Sequence, residues 1–143
     1  MKSTVAAFGR LAELRAAQTR QLLARVHYQQ QLCQRYQANI AALRRLCGFQ
    51  GCIDTVVQRH NHQQYKVTLH NMIELQTREL ALAERTLAGL REQMLGALRG
   101  EKVAAQALAG KLGEWRALLA RQEQALQDGL GAQVWWRARL CAP

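Results

Sequence analysis

Apolar residues recur along this chain at alternating steps of three and four. From the start, Phe8, Leu11, Leu14 or Arg15, Gln18, Leu22, Val26, Gln29, Leu32 or Cys33, Tyr36, Ile40, Leu43 and Leu46 or Cys47 form one such series. The mean step is near 3.5, the repeat that keeps two supercoiled helices in contact. A second series runs Tyr65, Leu69, Met72, Gln76, Leu80, Leu87, Leu90, Met94 and Leu98, then Leu108, Leu112, Trp115, Leu119 and Leu126. Between the two, Gly48-Phe49-Gln50-Gly51 offers two residues able to take positive φ, which ends the first helix and turns the chain. The pattern predicts a helix over 3–47, a turn over 48–53, a helix over 54–128 and a tail over 129–143. Ser3 or Thr4 can cap the first helix and Asp54 or Thr55 the second, while Gly129 and Gly131 close it.

At 1.5 Å per residue the first helix is roughly 65 Å long and the second roughly 110 Å. Folded as an antiparallel hairpin, the second overhangs by about 40 Å, from about residue 100 onward. The expected fold is therefore all-α, a single two-helix coiled-coil hairpin whose second helix is the longer. Gly89, Gly96, Gly100, Gly110 and Gly113 each cost a helix about 1 kcal/mol relative to alanine, which marks 96–113 as a candidate hinge.

Composition supports this reading. Ala, Leu, Arg, Glu and Lys make up about half of the 143 residues, and the single proline is Pro143, so nothing upstream interrupts a helix. Aromatic residues are only 6% of the chain, too few for a bulky globular core. Two helices cannot enclose a deep pocket, the usual requirement for small-molecule chemistry. The ten acids are scattered, and neither a phosphate-binding glycine loop nor a nucleophile motif is present. The expectation is a non-enzymatic binding or mechanical protein with no cofactor and no small-molecule substrate.

The formal net charge is +10. Residues 1–60 hold nine basic and two acidic side chains, so the N-terminal part is the more electropositive. A nucleic-acid groove is not expected, because Arg10, Arg15, Arg20, Arg25 and Arg35 spiral around the helix instead of lining one face. Trp135, Trp136, Arg137 and Arg139 suit either a membrane surface or a docking tail. No apolar run approaches the roughly 18 residues needed to span a bilayer, and the start lacks a signal-peptide pattern, so a cytoplasmic location is expected. Cys33, Cys47, Cys52 and Cys141 are too dispersed for a disulfide scaffold and read as thiols. Cys47 and Cys52 with His60 and His62 could be taken for a zinc site, but two histidines two positions apart on a helix point about 200° apart, so no metal is expected.

Two local patterns remain. Tyr28, Leu32 and Tyr36 are spaced i, i+4, i+8 on the first helix, and Tyr65, Leu69, Met72 and Gln76 follow 4-3-4 steps on the second. Packing between the helices explains such spacing as well as docking does. Docking is favoured because both patterns lie toward the turn, where no third helix covers them.

The stretches Tyr28-Gln29, Tyr36-Gln37-Ala38-Asn39-Ile40 and Asn61-His62-Gln63-Gln64-Tyr65-x3-Leu69 resemble the FliJ family of bacterial flagellar export proteins. The resemblance implies a stalk similar to that of rotary ATPases, seated in the hexameric export ATPase and reaching the membrane export gate. It implies that Tyr65, Leu69, Met72 and Gln76, with Tyr28, Leu32 and Tyr36 across the hairpin, face the cytoplasmic domain of the gate protein. Leu32 between the two tyrosines departs from the family's closer aromatic pair and leaves the register on that helix open. The overhanging C-terminal part, with the N-terminal end beside it, would enter the ATPase ring, and export chaperones are further partners. The location implied is cytoplasmic and peripheral at the inner membrane. Virulence-type III secretion stalks are similar, and a basic coiled-coil adaptor for nucleic acid or anionic lipid is the alternative from another class.

Overall fold

The computed structural model describes residues 1–49, 51 and 53–140. Two helices account for nearly all of them: α1, Lys2–Gly48, and α2, Val56–Leu140. They pack against each other as a two-helix hairpin with the second helix longer, and there is no strand among the described residues. Gln50 and Cys52 of the expected turn, and the last three residues of the expected tail, lie outside the described residues.

The start of α2 is fixed by a reciprocal cap. The Gln58 backbone N–H donates to Thr55 Oγ1 at 3.2 Å, while Gln58 Oε1 accepts from the backbone N–H of Asp54 at 2.8 Å and of Thr55 at 3.1 Å. Threonine and glutamine three apart thus satisfy amides that have no partner within the helix. The end of α1 differs from expectation. Neither Gly48 nor Gly51 takes positive φ. The last turn instead tightens, with Phe49 N–H donating to the Leu46 carbonyl at 3.2 Å, which satisfies a terminal acceptor without a left-handed residue.

The far end of α2 is also different. The helix continues through Gly129 and Gly131 to Leu140, so 129–140 is helix and not a loose tail. A glycine costs a helix about 1 kcal/mol but still makes its backbone hydrogen bonds, and no proline follows before Pro143 to force an end. Gly96, Gly100, Gly110 and Gly113 likewise leave the helix uninterrupted. Space around several glycines is open: a methyl group at Gly89, Gly96 or Gly110 would meet nothing within 4 Å. Replacing these three by alanine is expected to stabilise the chain by about 2–3 kcal/mol in total, read as a rise in the urea midpoint followed by circular dichroism.

Packing divides the chain into two compact units, 18–97 and 1–17 with 98–143. In the first, the buried residues of α1 are Thr19, Val26, Cys33 and Ile40, each seven after the last. On α2, Leu69, Ala83 and Leu90 fall on one seven-residue column and Leu87 on the adjoining one, all at most 7% exposed. This heptad spacing is what a two-helix seam requires. Val26, Cys33, Ala83, Leu87 and Leu90 form the core cluster, with Leu22, Tyr36, Leu80 and Met94 packed against it. The Gln29 Nε2 amide donates to the Ala83 carbonyl at 3.1 Å, and Cys47 lies beside His70, so the helices run antiparallel. The first turns of α1, which belong to the other unit, differ from expectation: Leu11 and Leu14 are 41% and 56% exposed, while Ala12 is half-buried.

In the second unit, Ala104 is buried and Leu108, Leu112 and Trp115 are half-buried. Helix packing therefore extends well past residue 100, and full exposure begins only at Arg116. Among the described residues no side chain falls below 2% exposure, as expected where two helices alone must cover each other.

Candidate functional site

The seven-residue columns decide which candidate side chains are free. On α2, Leu69 is 4% exposed and Gln76 half-buried, with Gln76 Oε1 shut from solvent and lacking a hydrogen-bond partner. Both belong to the seam. Tyr65 and Met72, one heptad apart, are 49% and 47% exposed and occupy the neighbouring column. The four residues expected to share a face therefore divide into two pairs, one inward and one outward.

The α1 residues are graded in the same way. Tyr28 is 68% exposed, Leu32 half-buried, and Tyr36 packs on the core cluster. Each step of four turns about 40° around a helix, so three residues so spaced pass from solvent to seam.

The side on which these residues stand follows from a groove lined by Ala24, Arg25, Tyr28 and Gln29 of α1 and Thr86 and Leu90 of α2. Tyr28 thus shares a side of the hairpin with Thr86. Thr86 stands two heptads beyond Met72 and three beyond Tyr65, so those residues lie on that side too. Leu32, one heptad beyond Arg25, joins them. Tyr28 and Tyr65 do not meet, because three heptads of helix separate their levels by about 30 Å.

Sequence reasoning missed two residues on this side. Leu75 and Leu82, 56% and 55% exposed, follow Met72 at steps of three and seven, and they extend the apolar flank toward the level of Tyr28. Their signal was the seven-residue separation of Leu75 and Leu82, masked because a step of four from Met72 leads to Gln76 in the seam instead. The flank so formed, Tyr65, Met72, Leu75 and Leu82 with Tyr28 and Leu32 opposite, offers rigid aromatic and aliphatic area to a partner.

The thiols are arranged differently from the sequence pattern. Cys33 is buried in the seam. Cys47 Sγ lies 3.8 Å from His70 Nδ1, which is 2.9 Å from the Lys66 carbonyl oxygen. A carbonyl can only accept, so in the contact with Lys66 it is Nδ1 that donates. His62 is half-buried and His60 exposed, and neither is paired with Cys47. Among the described residues no three of His, Cys, Asp and Glu group closely enough to hold a metal ion.

Charge lies on the outside. Arg78 with Glu74 at 3.5 Å and Lys111 with Glu114 at 2.7 Å are intrahelical pairs, each contributing a few tenths of a kcal/mol. Among the described residues no helix is long and apolar enough to cross a membrane. No protein-family model, curated protein or solved structure matches this chain.

Proposed function

We propose that the chain is the non-enzymatic central stalk of a bacterial flagellar type III protein export apparatus, coupling the hexameric export ATPase to the membrane export gate. The observation that carries the reading is the side of the hairpin where Tyr65, Met72, Leu75 and Leu82 stand outside the seam on α2. Those residues are not needed to hold the helices together, and they are large, apolar and regularly spaced, as a docking surface requires. The resemblance at Asn61-His62-Gln63-Gln64-Tyr65 points to the same segment.

In this reading the flank engages the cytoplasmic domain of the gate protein, with Tyr28 and Leu32 contributing across the hairpin. The N-terminal end of α1 and the C-terminal part of α2 contact the ATPase ring, and export chaperones bind as further partners. The chain works in the cytoplasm at the inner membrane and performs no chemistry. Its role is to favour ring assembly and pass the ATPase cycle to the gate.

Salt dependence tests the gate contact. A hydrophobic flank predicts an affinity for the gate domain that changes less than about tenfold between about 50 and 200 mM salt, measured by titration calorimetry. Binding driven by phosphate neutralisation falls by about 10³ or more over that range. A fall of that size, with duplex DNA competing for the chain, would favour the basic adaptor instead.

A further inference from the structure

The last turns of α2 differ from the rest of the molecule. Leu130, Val134, Trp135, Trp136 and Leu140 are 62%, 68%, 52%, 59% and 79% exposed. At about 100° per residue they point to every side of the helix: Val134 lies about 40° round from Leu130, Trp135 about 100° further, Trp136 about 100° beyond that, and Leu140 about 40° more. The remaining positions hold only glycine, alanine, Gln133, Arg137 and Arg139, and no acid follows Asp128. A helix that docks in a groove or joins a coiled coil needs one apolar stripe and keeps a polar face toward water. One that is apolar around its circumference is suited to immersion.

Length and charge select the medium. Eleven residues of helix measure about 16 Å, half of the roughly 30 Å hydrocarbon core, so this end can enter a bilayer surface but not cross it. Trp135 and Trp136 pack edge to face, with centroids 5.5 Å apart at 86°. The Arg139 guanidinium carbon lies 4.5 Å over the Trp135 ring. Indole rings combine an apolar body with a polar N–H and favour the membrane–water boundary. Arginine can keep its stem among apolar groups while its head stays at the surface. Two arginines with no acid complement anionic headgroups.

We propose that residues 130–140 of α2 form an interfacial anchor that inserts into the headgroup region of an anionic phospholipid bilayer. The two tryptophans enter the boundary, and Arg137 and Arg139 pair with lipid phosphates. The proposal does not rest on the stalk reading. A helix end enclosed by a protein partner is withdrawn from lipid, so the two occupants compete.

The test uses the full chain carrying Trp115→Phe, which leaves the two tail tryptophans as the fluorescent probes. It is mixed with vesicles of phosphatidylcholine alone or with about one-third phosphatidylglycerol, and read by emission wavelength and co-sedimentation. A blue shift and pelleting with the anionic vesicles are expected, with Arg137→Gln plus Arg139→Gln weakening partition about 30-fold. In a chain retaining all its charges, Trp135→Ala plus Trp136→Ala is expected to weaken co-sedimentation at least tenfold. Helicity by circular dichroism should be unchanged in both variants. Undiminished pelleting of the tryptophan-free tail would overturn the anchor, since net charge alone would then explain binding. A blue shift with duplex DNA but not with vesicles would assign the segment to nucleic acid. A shift that grows with protein concentration in the absence of vesicles would assign it to a second copy of the chain.

Discussion

Replacing Leu87 with alanine is expected to destabilise the chain by about 2–3 kcal/mol, seen as a lower urea midpoint at unchanged slope. Leu87 is 7% exposed and sits among Val26, Cys33, Ala83 and Leu90, where losing three carbons opens a gap that two helices cannot readily close. Against the roughly 5–15 kcal/mol usual for a folded domain, a loss of that size is a large share. Leu95→Ala provides the contrast. That residue is 53% exposed, and its truncation should change stability by less than about 0.5 kcal/mol. Equal effects at the two positions would show that the heptad columns do not define the seam.

The second large effect concerns partner binding. On the proposed stalk reading, Tyr65→Ala together with Met72→Ala weakens binding to the gate domain at least about 30-fold, the loss typical of removing central apolar anchors. Thermal stability should change little, because both side chains lie outside the seam. Leu69→Ala acts in the opposite sense. With Leu69 only 4% exposed, its truncation costs about 2–3 kcal/mol of stability, and any weaker binding follows from a loosened hairpin. A paired Tyr65 and Leu69 substitution would mix these effects. If the Tyr65 and Met72 variant bound the gate normally while fully folded, the flank would have no part in gate recognition.

Much of the fold was legible because its main determinants are local. A chain without internal proline, with a 3.5-residue apolar period on either side of a glycine-rich break, has few alternatives to two paired helices. The cap of α2 was legible to within one residue: Asp54 and Thr55 both suit the position, and Thr55 takes it with Gln58 as its reciprocal partner. The phase of the seam was harder to read. Leu11 and Leu14 are more apolar than Ala12 and Thr19, but Thr19 shares the column of Val26, Cys33 and Ile40, and a column buries whatever occupies it.

The docking candidates divided for the same reason. Tyr65 with Met72 and Leu69 with Gln76 are each seven apart, and a 4-3-4 reading merged two columns that the partner helix separates. Leu75 and Leu82 were invisible until that separation was made. The end of α2 is not legible from Gly129 and Gly131, because glycine weakens a helix without removing a donor as proline does.

In the proposed stalk reading, the chain acts on an ATPase ring without chemistry of its own. The most direct measurement is ATP hydrolysis by the purified export ATPase of the same genome, with and without this chain at a fixed ratio, alongside light scattering to follow hexamer formation. The stalk reading predicts faster hydrolysis and a larger hexamer fraction when the chain is present. Unchanged hydrolysis and assembly with a fully helical chain would contradict it.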